Sequence, residues 1–144
     1  MDLLVKSFIL VRLGGFSRNL RKEISKMHKY YFVDVGIRNA LISNLNPLNV
    51  RDDVGRLWEN FMILERIKKN SYARTPVNYY FWRTYDQKEI DLIEESGGTL
   101  RGWEFKWAKD SIKTPRDWLK AYPNSTFEVI TPHTGLDFVR ADTE

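Results

Sequence analysis

Read for its alternation of apolar and polar positions, the chain opens with two strand-like runs. Phe8 to Phe16 is interrupted by Gly14-Gly15, and Ile24 to Val33 ends in the aromatic cluster Tyr30-Tyr31-Phe32. The polar, basic segment Ser17-Arg18-Asn19-Leu20-Arg21-Lys22 lies between them, which predicts a hairpin with a positively charged tip. Asp34 is placed to cap a short helix from Val35 to Leu45, with Asn46-Pro47 to end it. Such an opening buries little apolar area alone. Residues 1–53 therefore read as the end of a larger element or as a packing partner for residues 54–144.

The pattern is stronger from residue 54 onward. Val54, Leu57, Trp58, Phe61 and Leu64 recur at helical spacing, while Ile63 and Ile67 form a smaller second patch, predicting a helix over Val54 to Asn70 buried between layers. Strand-like runs follow at Val77 to Arg83, Glu89 to Glu94 and Leu100 to Trp107, separated by turns at Tyr85-Asp86-Gln87 and Ser96-Gly97-Gly98. Thr114 is placed to cap a helix that has Pro115 at its first position and runs to about Ala121. Pro123-Asn124 breaks it, and Thr126 to Ile130 is a final strand. The expected order is helix, strand, strand, strand, helix, strand.

Composition narrows the class. With 42% hydrophobic and 29% charged residues the chain is globular, and its longest apolar stretches are of strand length, too short to cross a bilayer. No charged-then-apolar leader opens it, so a cytoplasmic protein is expected. Without cysteine there is no disulfide framework and no thiolate metal site, and His28 and His133 are too separated to suggest a histidine site. Residues 1–33 carry seven Lys/Arg against two acids, which is +5 of the chain's +4 net charge and leaves about −1 for the rest. A local basic excess favours a polyanion such as nucleic acid; the alternative is a solvated basic surface.

The candidate chemistry lies in the strands. Alternation in Lys88-Glu89-Ile90-Asp91-Leu92 sets Ile90 and Leu92 on one face and Glu89 and Asp91 on the other. In Trp103-Glu104-Phe105-Lys106-Trp107 it sets Glu104 and Lys106 together, with Phe105 opposite. The Gly-rich turn makes the two strands antiparallel neighbours, so Asp91 and Glu104 are expected to lie close enough to share a cation. Mg²⁺ prefers oxygen ligands and keeps several waters, so a site of carboxylates without His or Cys suits it. Acid-x-Lys on a strand by itself usually marks a solvated face. What weighs against that reading is an acid inside an apolar strand followed by Glu-x-Lys on its neighbour.

The segment from Gly55 to about Ile130 resembles the PD-(D/E)xK nuclease superfamily, which shares this element order. More narrowly, Lys29-Tyr30-Tyr31-Phe32-Val33-Asp34-Val35-Gly36, Gly55-Arg56-Leu57-Trp58-Glu59-Asn60-Phe61, Phe81-Trp82-Arg83-Thr84 with Glu89-Ile90-Asp91, and Glu104-Phe105-Lys106 resemble the uncharacterised domain that follows the ATPase module in many prokaryotic AAA+-type proteins. The resemblance implies an α/β fold with a restriction-endonuclease-like α-β-β-β-α-β core: a small mixed central sheet flanked by helices. The hairpin and helix before it would be a remnant like part of a winged helix. It further implies Asp91 and Glu104 as ligands of Mg²⁺ or Mn²⁺, Lys106 as catalytic lysine, and Glu59 as the helix acid supporting the metal. Ile90 stands where the superfamily carries proline. Helical periodicity alone favours Glu65 over Glu59, because Glu65 falls inside the Leu57-Phe61-Leu64 stripe.

The expected function is thus a Mg²⁺-dependent nuclease-type domain acting on DNA, the C-terminal part of an ATPase whose Gly-x-x-x-x-Gly-Lys-Ser/Thr loop is not in this sequence. Arg18, Arg21, Lys22 and Arg83 are candidate nucleic-acid contacts, although Arg83 reads equally as a structural ion-pair partner. Trp82, Trp103 and Trp107 could stack on bases, but aromatics on strands are more often core. The alternative is a non-catalytic module docking DNA or protein for that ATPase. A toxin- or antitoxin-like role is a third possibility that no residue favours.

Overall fold

The computed structural model describes residues 1–18, 23–108 and 114–140. Its elements are α1 (Asp2–Lys6), β1 (Leu10–Gly15), β2 (His28–Phe32), α2 (Val35–Leu41), a 3-10 turn at Leu48–Val50, α3 (Val54–Tyr72), β3 (Asn78–Arg83), β4 (Glu89–Ser96), β5 (Thr99–Phe105), α4 (Arg116–Ala121), β6 (Thr126–Ile130) and α5 (Gly135–Val139). The expected order from α3 to β6 is present. The short helices α1 and α5 were not legible in the apolar pattern.

All six strands form one mixed sheet in the order β2-β1-β3-β4-β5-β6. The pairs β1/β3 and β5/β6 are parallel and the other three antiparallel. The opening hairpin therefore packs as part of the sheet that carries the rest of the chain. Gly15 permits this close approach, because a Cβ there would clash with the Ile24 carbonyl oxygen. Residues 24–27 of the expected second strand lie outside β2, and the Ile24 amide donates instead to the Arg83 carbonyl at 2.9 Å.

The helix ends follow local backbone chemistry. Asp34 caps α2 as expected, accepting the Gly36 amide at 2.6 Å. The helix stops at Leu41, before the expected Leu45. There Ser43 takes a φ of 52° and the amides of Ser43 and Asn44 donate back to Ala40 and Asn39 at 3.1 and 2.9 Å. This is a Schellman ending with serine in the position usually held by glycine. Thr114 does not cap α4; Pro115, in extended conformation, is itself the cap, and its carbonyl receives the Trp118 amide at 3.0 Å. The hairpin turn expected at Ser96-Gly97-Gly98 is present as a two-residue loop, Gly97-Gly98, with φ of 55° and 79°, while Ser96 belongs to β4 and pairs with Thr99.

Each face of the sheet has its own core. Leu13, Phe81, Leu92, Trp103 and Phe105 pack with Met62, Ile63 and Leu64 of α3 and Phe138 of α5. Phe16, Trp82, Ile90 and Ile93 pack with Trp118 and Tyr122 around α4. Two expectations are corrected here. First, Ile90 and Leu92 face opposite sides. Tyr80 pairs with Ile93 and Trp82 with Ile90, so Phe81 alone opposes both Asp91 and Leu92, a β-bulge that breaks the alternation. Second, only part of the expected stripe faces the sheet: Leu64 packs there with Met62 and Ile63, and Trp58 lies against the same core, whereas Leu57 and the exposed Phe61 line an apolar groove with Val35, Leu48 and Trp107. Among the described residues, no helix is long and apolar enough to cross a membrane.

Candidate functional site

The bulge in β4 sets Asp91 where β4 and β5 stop pairing. The ladder's last pair is Leu92 with Trp103, so the next step sets Asp91 across from Glu104. Beyond it the Asp91 carboxylate replaces the strand as partner: its Oδ2 accepts the Phe105 amide at 3.0 Å. Asp91 is 7% exposed and Glu104 9%. One residue past β5, Lys106 keeps its amide on the Ile130 carbonyl of β6 at 3.0 Å and turns its ammonium to Glu104 Oε1 at 2.9 Å. The other oxygen of Glu104, Oε2, is buried and has no hydrogen-bond partner among the described residues. Asp91, Glu104 and Lys106 are thus brought together.

Glu59 joins them from α3 and Glu65 does not. Glu59 Oε1 accepts Tyr31 OH at 2.6 Å and lies 3.2 Å from Lys29 Nζ, while Glu65 pairs with Lys68 at 2.7 Å on the outer side of the helix. The α3 charge that does enter the interior is Arg66, which forms a two-pronged pair with buried Glu94 at 2.8 and 3.0 Å.

Lys29, which sequence reasoning left among the basic residues of the hairpin, lies inside this cluster. Its ammonium contacts Glu89, lies 3.2 Å from Glu59 and 3.5 Å from Asp91, and sits 5.6 Å from the centre of the Phe81 ring. The signal for it was weak but present: Lys29 and Tyr31 alternate with Tyr30 and Phe32 on one strand, so lysine and tyrosine share a face.

The electrostatics follow from burial and crowding. Burial, then the charges of Glu59 and Glu104, push the Asp91 carboxyl up to about 7, against the pull of Lys29 and the Phe105 amide. Burial also raises Glu104, with Lys106 opposing. Burial alone would lower Lys29, but Glu59, Asp91 and Glu89 outweigh it and hold the ammonium well above its ordinary range. Lys106 is likewise raised, Glu104 and its neighbours overcoming burial.

Of the other expected contacts, Arg83 borders the cluster through Glu89, which Lys29 also contacts, and Arg18 lies apart from it. Arg83 pairs with Glu89 at 3.4 Å and with Gln87, as the ion-pair reading anticipated. Arg18 pairs with Glu95 at 2.6 Å and stacks over Phe16, while Arg21 and Lys22 lie outside the described residues. Trp82 and Trp103 are core, and Trp107 is partly exposed against Trp58. A cavity of about 320 Å³ adjoins the cluster, lined by Lys29, Tyr31, Glu59, Arg38, Arg56 and neighbouring aromatics.

Among the described residues, no group of three or more His, Asp or Glu is gathered closely enough to hold a metal ion. The donors fit a smaller demand. Mg²⁺ is commonly held by one or two carboxylates with water filling the rest. The facing Asp91 and Glu104, one with an unpartnered buried oxygen, supply the oxygens such an ion prefers.

A family model described as a domain of unknown function (DUF4143) matches residues 54–137. Another domain of unknown function (DUF8612) matches residues 1–49. The chain is 29% identical over 108 residues to the uncharacterized protein Rv2008c of Mycobacterium tuberculosis and, to the same extent, to the uncharacterized protein Mb2031c of Mycobacterium bovis. The match covers 74% of this chain but only 24% of each relative's length. No solved structure matches.

Proposed function

We propose that this chain, which belongs to the DUF4143 family, is a Mg²⁺-dependent nuclease-type domain acting on DNA phosphodiesters. The observation that carries the reading is the buried Asp91–Glu104 pair, with an unpartnered Glu104 oxygen and Lys106 beside it at 2.9 Å. A carboxylate oxygen left without a hydrogen-bond partner in a protein interior is costly, and a cation would relieve that cost. The restriction-endonuclease-like order of elements and the resemblance to PD-(D/E)xK nucleases point the same way. The greater length of the mycobacterial relatives leaves room for the ATPase module proposed to precede this domain.

In this reading Asp91 and Glu104 hold the ion, and Glu59 adds negative charge from α3. A bound Mg²⁺ would neutralise charge developing on the phosphodiester and activate a water. Lys106 would orient that water or stabilise the oxyanion as a fixed positive charge. Tyr31 fixes Glu59 through its hydroxyl.

Purified chain should nick or cut DNA in Mg²⁺ or Mn²⁺, and Lys106→Ala should abolish cleavage while leaving the circular dichroism spectrum unchanged. Metal-dependent activity that survives both Asp91→Ala and Lys106→Ala would identify a contaminant and end the proposal. A second reading, a non-catalytic module docking DNA or protein for an ATPase, is favoured by the Lys29 ammonium among the acids. It predicts salt-sensitive DNA binding without cleavage, weakened by removing Arg18, Arg21 and Lys22 and indifferent to Asp91→Ala.

A further inference from the structure

Three carboxylates from two elements surround one ammonium. Lys29 Nζ, carried on β2, touches Glu89, lies 3.2 Å from Glu59 Oε1 on α3 and 3.5 Å from Asp91 Oδ1 on β4. Asp91 is also one of the residues assigned above to hold the metal. The acids are therefore arranged around a lysine side chain, at distances set by an ammonium with several donors. We propose that Lys29 is a tethered counter-cation that competes with the divalent ion, so that metal loading requires its ammonium to withdraw from Asp91.

This inference rests on the reading of Asp91 and Glu104 as metal ligands, and adds to it a control element from outside the matched nuclease-like segment. Both a lysine ammonium and a divalent cation answer the same need for positive charge, but they cannot both stand against one Asp91 oxygen. Like charges at such a separation repel strongly wherever water is partly excluded. The lysine stem is long and rotatable, so withdrawal needs no movement of the strand. The space for it exists, since Lys29 and Glu59 both border the cavity of about 320 Å³, which Arg38 and the exposed Arg56 also line.

The same geometry couples metal to substrate. A phosphodiester seated in that cavity would offer Lys29 another counter-ion and draw its ammonium away from Asp91. Nucleic acid should then tighten metal binding, and metal should tighten nucleic-acid binding by the same factor, as linkage requires. The hairpin that carries Lys29 would act as a sensor of occupied substrate.

The test measures Mn²⁺ binding by the intact chain, following free Mn²⁺ by electron paramagnetic resonance. Lys29→Met, which keeps the stem and removes the charge, should bind Mn²⁺ at least about tenfold more tightly than wild type, the direction expected from deleting an adjacent like charge. Lys29→Arg should remain as weak as wild type, and Lys29→Met combined with Asp91→Asn should lose the gain. Lys29→Gln serves the same purpose if methionine disturbs the fold. Equal or weaker Mn²⁺ binding in the folded charge-removing variant would overturn the competition while leaving the metal reading intact. Binding by neither protein at millimolar Mn²⁺ would overturn both.

Discussion

The backbone amide of Phe105 donates to Asp91 Oδ2 at 3.0 Å, across the point where β4 and β5 cease to pair. A side chain thus continues the bonding past the end of the β4–β5 ladder, and in doing so fixes a carboxyl group in a nearly water-free position. That placement has a measurable consequence for stability. Burial and the neighbouring acids raise the Asp91 carboxyl from 3.8 to about 7, so the folded state keeps a proton that the unfolded chain has already released. Stability should therefore be highest below about pH 4 as far as this group is concerned, and fall as pH rises towards 7. The loss should be on the order of 1–3 kcal/mol in urea denaturation, and Asp91→Asn should flatten the slope. A wild-type slope unchanged by that substitution would remove Asp91 as its source.

The interior pair of Arg66 and Glu94 is the strongest stability prediction. Glu94 is 4% exposed and also receives Asn70 Nδ2 at 2.8 Å and Trp103 Nε1 at 3.0 Å. Removing the guanidinium leaves a carboxylate with neutral donors only. Arg66→Ala should cost about 3–5 kcal/mol in denaturant unfolding, and the double change Arg66→Met with Glu94→Gln considerably less. Equal losses for the two would show that stacking of the Arg66 guanidinium over Trp103 and Phe138, at 5.3 and 4.6 Å, and not its pairing with Glu94, is what matters.

Adjacent glycines should behave differently. Among the described residues a Cβ on Gly14 meets nothing within 4 Å, whereas one on Gly15 drives into the Ile24 backbone. Gly15→Ala should lower stability by roughly 1–3 kcal/mol, the usual range for forced overpacking. Gly14→Ala should be neutral or slightly stabilising, since alanine limits the unfolded chain more than glycine does. Thermal denaturation of the two variants side by side checks this.

What the sequence made legible was local. The Gly97-Gly98 turn fixed the register of β4 against β5, and register alone brings Asp91 opposite Glu104. The bulge was invisible because alternation assumes a regular pleat. Ile90 and Leu92 look like a same-face pair until two residues must share the single partner Phe81. Lys29 was only faintly legible for a different reason: its shared face with Tyr31 could be read, but it reaches the cluster because β1 pairs in parallel with β3 at Gly14–Tyr80 and Gly15–Phe81, a contact between distant stretches of chain. Glu59 over Glu65 depended on which side of α3 met the sheet, and that was decided by Met62, Ile63 and Leu64, while Leu57 and Phe61 of the longer stripe turned to a groove.

The choice between those glutamates can be made in solution without any assay of activity. After burial, the Glu59 charge helps to raise the Asp91 carboxyl, and Glu59 also shares the Lys29 ammonium with Asp91. Glu59→Gln removes a repelling charge and leaves Lys29 freer to favour the Asp91 carboxylate, so both effects act in one direction. The Asp91 titration, followed by carboxyl carbon NMR, should move down by about one unit, the lower end of what a close charge contributes. Glu65→Gln changes only a helix pair with Lys68 on the outer surface and should leave the titration where it was. An equal response to both substitutions would mean that the Asp91 carboxyl senses the net charge of α3 and not the Glu59 side chain, and Glu59 would lose its place in the cluster.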